Sequence, residues 1–139
     1  MYITYRNTNF ELLLYRIMEN KQALRLIEKI QKDLLQDKFV ISKIVEDLKK
    51  IREVTLELNN PVVTKALRLA YEHLDSNNAF FIGIPDDEPV DSKDAEIKAN
   101  ISEENNIESL NYFLSLFTDL NKKNNILDLK EYNKAFLSY

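Results

Sequence analysis

The chain has 139 residues, 45% hydrophobic and 30% charged, a composition suited to one globular domain with a single core. With no cysteine, disulfides, thiolate metal sites and cysteine nucleophiles are excluded. A net charge of −4 argues against a nucleic-acid footprint, and one glycine and three prolines are too few for a β-sandwich or for phosphate-cradling loops.

The first predicted element follows MYITYRN, residues 1–7, a weakly alternating stretch without the basic, apolar and small-residue blocks of a signal peptide. Thr8 and Glu11 have the spacing of a capping box. Phe10, Leu13, Leu14, Ile17, Leu24, Ile27, Ile30 and Leu34 then recur at helical spacing, which predicts one long helix over 9–36. Glu28 and Lys32 are placed to pair along it. Asp37 is the expected cap of a second helix, whose seam is Ile41, Ile44, Leu48, Ile51, Thr55 and Leu58, with Glu46 and Lys50 outside. Asn59-Asn60-Pro61 ends that helix, and Pro61 suits the first position of a third. The third helix carries two adjacent apolar stripes, one through Val62, Ala66, Leu69 and His73 and one through Val63, Leu67, Ala70 and Leu74. So broad an apolar surface predicts a central position.

Ala79 to Pro85 is short and apolar. It resembles a strand without a convincing partner, and its aromatics are expected to pin it to the bundle. An acidic connection follows to residue 102. A fourth helix is expected from about Glu103 to Asn121, and a short fifth from about Asp128 with Leu129, Tyr132, Phe136 and Leu137. The predicted fold is therefore all-α. It is a helical bundle of four main helices plus a short C-terminal helix, in one domain over 1–139, with 82–102 as an acidic loop or linker within it.

Charge is unevenly distributed. Residues 1–81 carry 13 Lys and Arg against 11 Asp and Glu, whereas residues 82–139 carry 6 against 12. Asp86, Asp87, Glu88, Asp91, Asp94 and Glu96 concentrate that excess. Such a run usually sits in water, and it is also the best candidate in this sequence for docking a basic partner.

Residues 119–132, DLNKKNNILDLKEY, have the look of a calcium loop. Counted from Asp119, Asn121 falls on the third EF-hand position, but Lys123 and Lys130 take the fifth and twelfth, where oxygen ligands belong. Counted back from Glu131 as the last position, Leu120 and Lys122 take the first and third. The two halves are out of register by one residue, and the turn glycine is missing. Asp119, Asn121 and Glu131 are thus weak metal candidates. A polar turn explains the same residues, with Asn124 or Asn125 as a left-handed cap and Asp128 capping the next helix.

His73 is the single histidine. No carboxylate shares its face at helical spacing, so a core or interface histidine is expected, one that is still able to titrate near neutral pH. The seven tyrosines suit half-buried bundle positions. No spacing pairs a nucleophile with a base, so neither catalysis nor a cofactor is expected. No run reaches the ~20 apolar residues of a membrane span, and a cytoplasmic location is expected. The leading reading is a non-catalytic protein-interaction module that self-associates or binds a basic protein partner through 86–96, without nucleic acid or membrane. The alternative is a small-ligand or metal-binding helical bundle.

Overall fold

The computed structural model describes residues 21–85 and 104–139. Among these the chain is helical over residues 21–35 (α1), Ile41–Thr55 (α2), Pro61–Asn77 (α3), Ile107–Leu116 (α4) and Lys123–Ser138 (α5), with a 3-10 turn at Leu56–Leu58. The mostly helical character read from the periodicity is what the structure has. The Thr8–Glu11 capping box, residues 9–20 of the expected first helix and the acidic stretch 86–102 lie outside the described residues.

α3 packs against α2 on one side and α5 on the other, the central place its two stripes require. Both stripes are used, because Val63, Ala66, Leu67, Leu69, Ala70, His73 and Leu74 are all buried. One contiguous core joins them to Ile27 and Ile30 of α1, Leu48 and Ile51 of α2, Phe113 of α4 and Tyr132 of α5. The start of α3 is as expected: Asn60 accepts the Val62 N–H at 3.1 Å, and Pro61 occupies the first helical position.

Several boundaries differ from the sequence reading, each for a local reason. Asp37 does not cap α2. Its φ is 56°, and it closes α1 instead, with its N–H on the Leu34 carbonyl and the Lys38 N–H on the Asp33 carbonyl. That is the Schellman pattern, with aspartate where glycine is usual. α2 then begins after Val40, which makes no side-chain cap. Asn59 and Asn78 are the other left-handed residues among those described, with φ of 52° and 54°. In a chain with one glycine, short Asx side chains take these positions because they tolerate left-handed backbone best among non-glycine residues.

The fourth helix is shorter than expected, and the fifth is longer. At the start of α4, Asn105 and Asn106 are drawn off to Phe80, and Asn106 caps the helix through the Ser109 N–H at 2.9 Å. At its end, Ser115 Oγ and Thr118 Oγ1 donate back to the Tyr112 and Ser115 carbonyls at 2.5 and 2.6 Å. Such local bonds compete with helix continuation. α5 begins at Lys123, so Asn124, Asn125 and Asp128 lie within it, and neither asparagine is a left-handed cap. With 16 residues against 10 in α4, the C-terminal helix is not the short one. The second-helix seam also changes at its end, where the 3-10 turn leaves Leu58 42% exposed. The ion pair of α1 runs from Lys29 to Asp47 of α2 rather than from Glu28 to Lys32.

Candidate functional site

The segment after α3 carries the most specific set of contacts. Phe80 is fully buried, with its ring 5.6 Å from His73, 6.2 Å from Phe113 and 5.8 Å from Phe136. Its main chain is held as well. The Phe80 N–H donates to Asn105 Oδ1 at 2.8 Å, and its carbonyl accepts the Asn106 N–H at 2.6 Å. Ala79, Ile82, Gly83 and Pro85 are also buried, so the aromatics do pin 79–85 onto the helices. The result is a clamp. Phe80 before the acidic stretch and Asn105-Asn106 after it are bonded to each other on a rigid core.

The six carboxylates themselves, Asp86, Asp87, Glu88, Asp91, Asp94 and Glu96, lie outside the described residues. Both flanks of the stretch are described, with Pro85 buried on one side and Glu104 exposed on the other.

His73 stands beside the clamp and is 6% exposed. Its Nε2 accepts the Phe81 N–H at 3.0 Å, while the Asn77 amide nitrogen, 3.3 Å from Nδ1, donates to the His73 carbonyl at 2.9 Å. Burial pushes its pKa down from 6.5 to about 4, so the ring is neutral at neutral pH and does not titrate there as the sequence reading allowed.

The calcium-like stretch is divided between a turn and a helix. Asp119 Oδ1 accepts the Asn121 N–H at 3.2 Å in an Asx turn. Asn125 Nδ2 reaches back to the Asp119 and Leu116 carbonyls at 2.9 and 3.3 Å, tying α5 to the end of α4. Glu131 lies within α5 and pairs with Lys134 at 3.1 Å. From Lys123 onward the backbone is helical, so it does not wrap an ion as an EF-hand loop does. Among the described residues, no group of three or more His, Cys, Asp or Glu is placed to hold a metal.

Two polar arrangements escaped the sequence reading. Asp47 is 3% exposed and pairs with Lys29 at 3.3 Å. Its position, three residues after Ile44 and four before Ile51, puts it on the buried face of α2, which was the available signal. Tyr132 is fully buried, within 3.0 Å of both Ser109 Oγ and the Ser109 carbonyl, and burial raises its pKa above the ordinary phenol range. Tyr112 donates to Asp128 alongside. No pattern in the chain pairs Ser109 with a residue 23 positions away. An open groove of about 260 Å³ lies where α1, α2 and the α4–α5 turn meet, lined by Leu24, Ile27, Ile51, Leu58, Phe117 and Leu120 among others. It falls below the 300–1,000 Å³ range typical of small-molecule sites.

Comparison with protein-family models, with curated proteins and with solved structures found no match. Among the described residues, no helix is long and apolar enough to cross a membrane. The class defined by fold and site is therefore a mostly helical chain whose acidic stretch is flanked by a hydrogen-bonded aromatic clamp.

Proposed function

We propose that this chain is a non-catalytic protein-interaction module whose acidic 86–96 segment docks on the basic surface of a protein partner. The observation that carries the reading is the clamp, with Phe80 bonded to Asn105 and Asn106. It holds the two flanks of the carboxylate-rich stretch together at one place on a packed core. The carboxylates would steer and select a basic surface, an effect that weakens as salt screens it. This reading is preferred over a ligand-binding or metal-binding bundle because His73 and the 119–125 turn, two of the polar sets such a bundle could use, are engaged internally. His73 Nε2 is taken by Phe81, and Asp119 and Asn125 by the turn.

The test is affinity capture from native lysate at low and high salt. The intact chain is compared with a variant carrying Asp86→Asn, Asp87→Asn, Glu88→Gln and Asp91→Asn. The expected result is a stoichiometric basic partner recovered by the intact chain in low salt, cross-linked to 86–96, and lost with the variant or in high salt. If both baits retain the same partners at both salt concentrations, or each recovers only its own chain, docking through the acidic segment is refuted.

A further inference from the structure

Three parts of the fold meet on one imidazole. α3 supplies His73 itself and Asn77, the 79–85 segment supplies Phe80 and Phe81, and the end of α5 supplies Phe136 and Tyr139. The nearest ring centroid is that of Tyr139, at 4.8 Å, followed by Phe136 at 5.5 Å. The one directional bond from the imidazole to the segment is that from the Phe81 N–H to Nε2. A ring nitrogen accepts only while it is unprotonated. The neutral ring then carries its proton on Nδ1, so the 3.3 Å contact with the Asn77 amide nitrogen is not a hydrogen bond, and that nitrogen donates to the His73 carbonyl instead.

We infer that His73 is an acid-sensitive latch, which holds the backbone N–H of Phe81 while the ring is neutral and frees it when Nε2 takes up a proton. Protonation sets two N–H donors face to face at the 3.0 Å contact, on an imidazole that is itself largely removed from water. Across the described residues, the groups facing the imidazole contain little that would hold the cation in place. From α3 there is the neutral Asn77 amide, while Glu72 and Asp75 are exposed, with Glu72 paired to Arg68. From the segment there are two phenyl rings and one N–H. From α5 there are Phe136 and Tyr139, and Tyr139 brings a phenol as the titratable group on that side. The second attachment of the segment contains no titratable group, because Phe80 is bonded to the Asn105 side chain and the Asn106 backbone. Release is therefore confined to Phe81, between the anchored Phe80 and the buried Ile82. This inference goes beyond the docking proposal and does not depend on it.

The experiment uses the full chain, isotopically labelled. As the single histidine, His73 gives one set of ring signals, so its tautomer and titration are read without ambiguity by NMR. Amide protection of Phe80 and Phe81 is followed over the same pH series. Opening coupled to protonation rises about tenfold for each pH unit below the ordinary histidine value, until the ring titrates in place. Phe81 protection should fall by that factor per unit while Phe80 and the core of α3 keep theirs. His73→Gln offers an amide oxygen to the Phe81 N–H and does not titrate, so its Phe81 protection should be flat over the same range. Three outcomes overturn the latch: flat protection at Phe81 in the parent chain, an equal fall in His73→Gln, or loss of Phe80, Phe81 and the α3 core together. Should His73→Gln fail to fold, the parent chain still decides. A ring protonated at Nε2 at neutral pH contradicts the latch, and the Phe80–Phe81 comparison tests it independently.

Discussion

Replacing Phe80 with alanine should damage this protein far more than the same change at Phe81, although the two are adjacent phenylalanines in one short apolar stretch. Phe80 has no exposed surface and packs against His73, Phe113 and Phe136 at centroid separations of 5.6–6.2 Å. Removing its ring forfeits the transfer free energy and leaves a cavity among residues on three elements, a loss of about 3–5 kcal/mol. The ring of Phe81 is only partly buried and stacks on the half-exposed Tyr139 at 6.1 Å. Its truncation should cost about 1–2 kcal/mol, since only part of a side chain's burial is lost. Neither change removes the backbone bonds to Asn105, Asn106 or His73, so the difference isolates ring packing. Urea unfolding followed by circular dichroism reads it directly. With a slope of about 2 kcal/mol per molar, Phe80→Ala should lower the midpoint by about 2 M and Phe81→Ala by less than about 1 M. Equal shifts, or a loss below about 1 kcal/mol at Phe80, would refute the placement of this segment in the core.

Two further predictions concern charge. Lys29→Met leaves the Asp47 carboxylate, whose side chain is 5% exposed, without its cation. The expected loss is about 1–3 kcal/mol by chemical denaturation, less than for a fully enclosed pair because Lys29 is half in water. Lys50→Met breaks a pair that is exposed on both sides and should change stability by under about 0.5 kcal/mol; equal effects would mean that Asp47 is solvated. Stability should also fall with acid through His73. Its folded value, about 4, lies below its unfolded value of 6.5, so the unfolded chain binds the proton first. The contribution is complete above about pH 6.5 and is lost as pH falls towards 4, about 3 kcal/mol in all at 1.36 kcal/mol per unit. Denaturant midpoints across that window check it, and His73→Gln should remove the slope above about pH 5, where ordinary carboxylates are still ionised.

Helix identity was legible where packing agreed with periodicity. The two stripes of α3 announced its central place, and Asn60-Pro61 announced its start. Boundaries failed where one residue type serves two purposes. Aspartate is a good N-cap and also a tolerable left-handed residue, and at Asp37 the end of α1 takes it before α2 can. The Asn105 side chain and the Asn106 N–H have no helical partner to lose, so the main chain of a distant phenylalanine claims them. Asn125 does satisfy carbonyls at the end of α4, but by reaching back from inside α5, which no local pattern encodes. For the candidate site, composition pointed to the carboxylates of 86–96 and to His73. The clamp depends on a contact across 25 positions and is invisible to any short window. The neutral state of His73 was hidden for the same reason, because its acceptor role is set by a backbone N–H eight residues away, beyond the turn that ends α3.

The pairing of Phe80 with Asn105 closes a ring of chain, and the entropy of closing a flexible ring grows only with the logarithm of its length. Doubling the number of residues between the tied ends adds about 0.6 kcal/mol to that term, little against the packing that Phe80 contributes. So far as closure is concerned, insertions and deletions beyond Pro85 are cheap, whereas a single change at Phe80 or Asn105 is not. In the closure term, then, the identity of the two tied ends weighs more than the length of chain between them.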